Sequence, residues 1–322
     1  MEPTRIIVAG FPRCGTTLVA SVIASSPLAH FVTHYSSFAL RAGDRLRVGW
    51  NALLDPAQRR VALGLARDEW LRLGHVVTTH ADDFSTLDDL HRRIAIELGR
   101  GRTVVGHKVR MPVRWIQRTL EQTNIRVVVM IRDARAAALS YVNYTGLAAE
   151  SYLREWKEMA ALCLSTSSPR FTFLRYEDLV SDPNTELVRA LGSWATGVER
   201  FSALQFVQGG LKPPGQWLEN SAFGDVRSRI DTTPRDRWRS QTAELLVRYA
   251  AVTCSEELQQ LGYRVDPSRW EDQLRFRLHE AYWRADAKLA RAADLARSRL
   301  GRWLAPPLRQ SPSERDSPTR SS

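Results

Sequence analysis

Short apolar runs rich in β-branched residues alternate along the chain with longer stretches in which apolar residues recur every three or four positions. The short runs predict β-strands, and the longer stretches predict helices. Strands separated by helices require parallel pairing with right-handed crossovers, so the pattern predicts an α/β fold with an open, mostly parallel sheet and helices on both faces. The predicted strands are 5–10, 102–108, 126–131 and 170–176, and the helices between them include 85–99 and 151–164.

The last third of the chain differs in composition and in its hydrophobic pattern. Residues 207–238 are rich in Gly, Pro and Asp and predict a long loop folded over a site, whereas residues 242–263 predict one helix. From Trp270 to Leu304 apolar residues recur every three or four positions, which predicts a long amphipathic helix, and the polar end QSPSERDSPTRSS predicts disorder. We therefore predict a main domain of residues 1–265, a helical extension of 266–305 and a tail of 306–322.

Composition narrows the possible partners. With 43% hydrophobic and 25% charged residues among 322, the chain is that of a globular protein. The net charge of +11 is carried almost wholly by arginine, whose planar guanidinium suits phosphate and sulfate, so an anionic ligand is favoured. No basic run is interleaved with aromatic residues, and nucleic acid is therefore not predicted as a partner.

Cysteine usage and the N-terminus favour a cytoplasmic location. The three cysteines show no CxxC spacing and form an odd set, so neither a disulfide framework nor a zinc site is indicated. The first residues lack a basic segment followed by an apolar one, and no run of eighteen apolar residues occurs in the chain.

The segment GFPRCGTT, directly after the first predicted strand, has the frame of a phosphate-binding loop. Gly10 and Gly15 match a GxxxxG frame whose backbone N–H groups surround an anion at a helix N-terminus. A loop for nucleoside triphosphates has lysine where this chain has Thr16, followed by a hydroxyl residue such as Thr17. Arg13 moves the positive charge earlier in the loop. The segment therefore predicts a P-loop type fold and an anion other than a β,γ-phosphate, the alternative being a turn that only packs a helix on a strand.

A second anion site is predicted at the end of the strand RVVVMI. Arg132 follows that strand, and Asp133 is placed to cap a helix that begins near Ala134. Ser140 follows Arg132 by eight residues, about two turns into this helix, so both side chains are able to address one phosphate. Two anion sites at two strand ends suggest a nucleotide with phosphates at separated positions. The alternative is an arginine paired with a carboxylate and a solvated serine.

The motifs GFPRCGTTLV, RVVVMIRDARAAALSY, RYEDLVSDP, RW and LGY, in that order, resemble the sulfotransferases that use 3′-phosphoadenosine 5′-phosphosulfate (PAPS), in their carbohydrate and bacterial branch. The resemblance implies that the loop holds the 5′-phosphosulfate, that an arginine and a serine hold the 3′-phosphate, and that a tyrosine lies near adenine. IDTTPRDRWRS is loosely similar to the loop that closes on the nucleotide, with Arg229, Arg235 or Arg237 as the arginine concerned. The implied residues are Arg13, Cys14, Gly15, Thr16 and Thr17 for the 5′ end, Arg132 and Ser140 for the 3′-phosphate, and Tyr176 for adenine.

The resemblance implies in-line transfer of a sulfuryl group to a hydroxyl or amine, with Arg13 stabilising the leaving phosphate and no metal required. Related enzymes often use a glutamate base beyond the first helix, but the corresponding stretch SSPLAHFVTHYSSF has no acid, and His34 is the titratable residue nearest that place. His107 is the other candidate base. Aligning Lys108 with the lysine of the cytosolic branch places Arg110 where that branch has its histidine.

Several alternatives stay open from the sequence. A kinase that uses Mg·ATP would employ Asp133 as a magnesium ligand, and a nucleotide-binding protein without turnover would share the same loops. Cys14 as a phosphatase-like nucleophile is set aside, because Ala20 stands where such enzymes have arginine. The acceptor is a small molecule, a lipid or a carbohydrate, and the C-terminal helix is predicted to contact a membrane surface, a second copy of the chain or its own domain.

Overall fold

The computed structural model describes residues 2–26, 28–32, 92, 101–108, 111–194, 230, 233–240 and 244–282. Within these residues five parallel strands form one sheet in the order β2-β3-β1-β4-β5. All four predicted strands are confirmed, and β2 is an additional strand that the hydrophobic pattern missed. The strands are β1 Thr4–Gly10, β2 Ala29–Val32, β3 Val104–Lys108, β4 Arg126–Ile131 and β5 Phe171–Arg175.

Helices connect these strands and follow the last one. The predicted helix 151–164 is confirmed as part of α4, whereas the predicted helix 85–99 lies outside the described residues apart from Arg92. The helices are α1 Thr16–Ser25, α2 Val113–Gln122, α3 Ala134–Thr145, α4 Ala149–Ser165, α5 Tyr176–Ser181, α6 Pro183–Leu191, α7 Thr233–Asp236, the 3₁₀-helix Arg237–Ser240, α8 Glu244–Thr253, α9 Ser255–Gln260 and a helical segment α10 at 270–282.

The prediction of one helix over 242–263 is wrong, because the chain bends at Cys254. This residue has φ −112° and ψ 19°, outside helical geometry, and it separates α8 from α9. The bend lets α8 pack against α3 while α9 packs against α4, so tertiary contacts override the continuous helical periodicity.

Alternate residues of the central strands supply cores on both faces of the sheet. Ile6 and Val8 of β1 pack with Val19 and Ile23 of α1 in one buried cluster. Ile7 and Ala9, the intervening residues of β1, are completely buried and point to the opposite face, where α2 and α4 contact the neighbouring strand β4. The α/β class with helices on both faces is therefore confirmed.

The strand order places one crevice at the carboxyl end of β1. The chain runs from β1 to β2 and back through β3, and then crosses β1 to reach β4, so the connections leave β1 in opposite directions. Ligands of such sheets bind at this reversal. Gly10, Lys108 and Arg132 all lie at the carboxyl ends of these adjacent strands.

The chain divides into two compact units, Met1–Asp272 and Gln273–Ser322. Within the first unit Asp272 is buried and forms an ion pair with Arg248 of α8, which ties the end of the unit to its helical layer. The boundaries predicted at residues 265 and 305 stay predictions. None of the described helices is both long and apolar enough to cross a membrane.

Candidate active site

The loop between β1 and α1 is held in an uncommon backbone conformation. Gly10 and Gly15 have φ values of 148° and 93°, and a Cβ atom at Gly15 would lie 2.5 Å from the ring of Tyr176. Arg13 also has a positive φ, 70°, which costs a non-glycine residue on the order of 1 kcal/mol. Strained backbone of this kind is concentrated where the chain wraps a ligand, and here it lies at the predicted anion loop.

The helix that follows the loop begins with backbone donors that have no acceptor within the helix. Gly15 caps α1 without a side-chain hydrogen bond, and the first backbone bond runs from the Val19 N–H to the Gly15 carbonyl. The N–H groups of Thr16, Thr17 and Leu18 precede that bond and therefore have no acceptor within the helix. Because α1 also has no acidic residue in its first turn, its N-terminus is suited to an anion.

Lys108 supplies a lysine to this loop from the neighbouring strand. It is paired in register with Val8 at the carboxyl end of β3, and its Nζ donates a hydrogen bond of 3.1 Å to Thr17 Oγ1. Burial lowers the pKa of Lys108. Sequence reasoning used this residue only for alignment, although a lysine that ends a parallel strand beside the loop strand was a usable signal.

Arg13, Arg132 and Ser140 meet in one cluster. Nε of Arg13 donates to Ser140 Oγ at 3.0 Å, and Nη1 of Arg132 donates to the Arg13 carbonyl at 3.2 Å. Burial, with a smaller contribution from the charge of Arg132, lowers the pKa of Arg13. The sequence suggested two separate groups of residues, whereas the structure joins them through the Arg13 side chain.

The ring of Tyr176 packs against this cluster. It is the first residue of α5, it is buried, and its ring lies 4.5 Å from the guanidinium carbon of Arg132. The same ring packs against Gly15 in the loop. Tyr176 therefore contacts both groups of predicted donors, and its predicted contact with adenine stays a prediction.

Cys14 is buried beneath the loop as a protonated thiol. Its Sγ lies 3.7 Å from the hydroxyl of Tyr152, and burial raises the pKa of Cys14 to about 11. A thiol with such a pKa is a poor nucleophile at neutral pH. The Cys14 N–H donates to the Phe11 carbonyl at 3.2 Å, and its predicted contact with an anion stays a prediction. Tyr152, which sequence reasoning missed, also donates a 2.8 Å hydrogen bond to the Pro12 carbonyl and so fastens the loop to α4.

Of the two candidate bases, only His107 lies within the described residues. His34 lies outside the described residues. His107 is buried in β3 between Ile7 of β1 and Val32 of β2. Since side chains alternate along a strand, His107 points to the face opposite Lys108 and Thr17. Neither assignment is tested, and both stay predictions.

The arginines of the predicted closing loop are only partly described. Arg235 forms an ion pair with Asp236 and donates to Ser181 Oγ at 3.1 Å. Arg229 lies outside the described residues, as does the side chain of Arg237.

Asp133 is engaged in a way that leaves little room for a magnesium ion. Its Oδ1 accepts from the backbone N–H of Arg135, as predicted for a helix cap, and both carboxylate oxygens accept from the Arg135 guanidinium at 2.7–2.9 Å. This pairing argues against the kinase role that the sequence left open. In the part of the chain that the structure describes, no group of three or more His, Cys, Asp or Glu side chains is arranged to hold a metal.

Comparison with known proteins defines the class. The model of the sulfotransferase family matches residues 3–194, more than half of the chain. The chain therefore belongs to the sulfotransferase family and is an enzyme of the sulfuryl-transfer class. Family membership overrides the kinase and the non-catalytic alternatives.

The chain is similar to solved sulfotransferase structures at low sequence identity. The sulfotransferase domain from the curacin biosynthetic pathway is 16% identical, with 82% of this chain and 99% of that domain covered and a TM-score of 0.51. The sulfotransferase domain of the Synechococcus PCC 7002 olefin synthase is 14% identical, with coverage of 82% and 97% and a TM-score of 0.48. Sulfotransferase STF9 from Mycobacterium avium is 15% identical, with coverage of 83% and 79% and a TM-score of 0.42. No curated protein sequence matches the chain.

Proposed function

We propose that the sulfuryl donor is PAPS and that the β1–α1 loop binds its 5′-phosphosulfate as a P-loop. The observation that carries this proposal is the convergence of Arg13, Arg132 and Ser140 beside the open N-terminus of α1. The residues proposed to hold the 5′ end are Arg13, Cys14, Gly15, Thr16 and Thr17, with Arg132 and Ser140 at the 3′-phosphate and Tyr176 near adenine.

The proposed reaction is an in-line transfer. An acceptor oxygen or nitrogen forms a bond to sulfur while the bond between sulfur and the 5′-phosphate oxygen breaks, and that oxygen takes the electron pair. Arg13, Lys108 and the first N–H groups of α1 are proposed to stabilise the charge that develops there. The bond from Lys108 to Thr17 and the absence of an acidic residue in the first turn of α1 support this role. The acceptor proton passes to a base, with His34 preferred and His107 as the second candidate, and the proposal requires no metal.

The acceptor is proposed to be a hydroxyl or amine of a small molecule, a lipid or a carbohydrate. The aromatic residues around the Arg13 loop favour an acceptor with a sugar face or an apolar ring: Tyr144 is exposed, and its ring lies 4.7 Å from the guanidinium carbon of Arg13. A cytoplasmic location is part of the proposal, supported by three cysteines that are all free and buried.

The helical extension is proposed to contact a membrane surface or a second copy of the chain. Large apolar side chains stand one turn apart on α10, and each is more than half exposed. These residues are Trp270, Leu274, Leu278 and Tyr282.

The donor is tested by ligand-induced stabilisation. Adenosine 3′,5′-bisphosphate, the product of the proposed donor, should raise the melting temperature without magnesium, because it binds only the folded chain. Arg132→Ala should weaken this bisphosphate far more than 5′-AMP, which lacks the 3′-phosphate. Stabilisation by Mg·ATP alone would contradict the proposed donor.

A further inference from the structure

Arg135 forms a buried ion pair that the proposed reaction does not use. Arg135 and Asp133 are 6% and 4% exposed, and the guanidinium binds both oxygens of the carboxylate. A buried ion pair is weak evidence for stability, since the cost of removing both charges from water offsets much of their attraction. Such a pair is better explained by a requirement for one specific geometry, and here that geometry includes the junction between β4 and α3.

The Arg135 guanidinium also reaches two segments that are distant in the sequence. Nη2 donates a 2.9 Å hydrogen bond to the carbonyl of Arg264, which follows α9. The guanidinium carbon lies 4.4 Å from the centre of the Trp238 ring in the 3₁₀-helix. One side chain therefore joins the start of α3 to the segment 233–240 and to the chain that follows α9.

A second connection fixes the same junction through the backbone. Glu177 of α5 accepts the Asp133 N–H through Oε1 at 3.1 Å and the Tyr263 hydroxyl through Oε2 at 2.8 Å. Residues 263 and 264 thus hold Asp133 by way of Glu177 and Arg135. The residue just before Asp133 is Arg132, whose carbonyl accepts from Trp156 Nε1 at 2.9 Å.

These contacts converge on the backbone from which Arg132 and Ser140 project. We propose that Arg135 is a positioning residue, which holds the start of α3 against residues 238 and 264 so that Arg132 and Ser140 form one 3′-phosphate site. The inference rests on the proposed use of PAPS. It assigns Arg135 no contact with the nucleotide, since Nε and Nη2 are already engaged by Asp133 and the Arg264 carbonyl.

Binding of two nucleotides by the full chain tests this role. Arg135→Lys keeps the charge but loses the planar two-pronged pairing and the stacking on Trp238. We expect this variant to bind adenosine 3′,5′-bisphosphate about tenfold more weakly, with a change below about twofold for 5′-AMP, measured by calorimetry. Trp238→Leu should likewise weaken binding of the bisphosphate more than binding of 5′-AMP. Trp238→Phe keeps an aromatic ring and should bind the two nucleotides with the wild-type ratio of affinities.

Arg189→Lys is the matched control. Arg189 likewise pairs with a carboxylate, Glu186, and donates to a carbonyl, that of Phe173, but it is exposed and belongs to α6. This variant should bind both nucleotides as the wild-type protein does. A change of the same size in Arg189→Lys would mean that the effect is general to lost arginine contacts, and the inference would be wrong.

A double-mutant cycle separates positioning from general destabilisation. If Arg135 acts through Arg132 and Ser140, Arg135→Lys should weaken bisphosphate binding less in an Arg132→Ala background than in the wild-type protein, because coupled residues are not additive. Additive effects, or equal weakening of both nucleotides, would overturn the inference. If Arg135→Lys does not fold, Trp238→Leu decides instead: an unchanged ratio of the affinities for the bisphosphate and 5′-AMP in that variant would overturn the inference. A wild-type protein that binds both nucleotides equally contradicts the proposed donor itself.

Discussion

At the residue scale, a second cation reaches the β1–α1 loop from outside it, in addition to Arg13 within the loop. The loop has Thr16 where triphosphate-binding loops have lysine, and Lys108 of β3 reaches Thr17 instead. We therefore expect its ammonium group to lie beside the leaving phosphate of the proposed reaction, where a preorganised charge lowers the barrier to transfer.

Lys108→Met should lower kcat by about a hundredfold while the melting temperature changes little, because the lost charge acts mainly on the transition state. Lys108→Arg should recover part of the rate. In the wild-type protein, the lowered pKa of Lys108 predicts that kcat falls with rising pH earlier than it would for a solvated lysine. A steady-state assay with labelled PAPS measures kcat for each variant and the dependence of kcat on pH. An unchanged kcat in Lys108→Met would remove this residue from the reaction.

At the element scale, Glu177 joins α5 to the start of α3 and to the chain that follows α9. Burial raises the pKa of Glu177 above its ordinary value of 4.5, although hydrogen bonds from Tyr263 and the Asp133 N–H act in the opposite direction. The folded state therefore binds this proton more tightly than the unfolded state does. The contribution of Glu177 to stability falls as the pH rises from the unfolded pKa through the folded pKa.

Glu177→Gln should flatten this part of the pH dependence, because glutamine does not titrate. Urea unfolding at a series of pH values from about 4.5 to neutrality gives the free energy of unfolding at each pH, and the slope of this free energy against pH measures the effect. Glu256→Gln, at an exposed position of α9, controls for the removal of one carboxyl group. A slope that is equally steep in wild type and Glu177→Gln would show that this carboxyl does not carry the effect.

At the scale of the whole molecule, α10 presents an apolar surface that the catalytic proposal does not explain. Leu274 and Leu278 are 52% and 63% exposed in the described chain. The double variant Leu274→Glu/Leu278→Glu should abolish any association made by this surface, because it places two charges where apolar area would be buried.

Flotation with phosphatidylserine vesicles tests for binding to a membrane surface, and sedimentation velocity tests for a dimer. Loss of vesicle binding in the double variant indicates a membrane surface, and loss of a dimer indicates a second copy of the chain. Leu245→Glu, at another exposed leucine in α8, should leave either association intact. A wild-type protein that neither floats nor dimerises would contradict both proposals.

Local periodicity predicted most of the sheet and one of its covering helices. Strands β1 and β4 are mostly buried apolar runs rich in β-branched residues, so their position can be predicted without knowledge of their partners. Strand β2 has four residues, and it is defined by pairing with β3, in which Ala29 lies opposite Val104, 75 residues later. No local pattern reports such a pairing. Similarly, the break at Cys254 follows from packing on α3 and α4 and not from the helical spacing around it.

The sequence alone was sufficient to identify the family, and it predicts GFPRCGTT and the Arg132–Ser140 pair as anion sites, because these motifs depend on residue types at short, fixed spacings. It could not determine how the groups combine. The bond from Arg13 to Ser140 spans 127 residues and that from Lys108 to Thr17 spans 91, and Arg135 reaches Arg264 across 129. Such contacts arise because parallel strands bring their carboxyl ends to one edge, so side chains meet there according to strand order and not according to their distance along the chain.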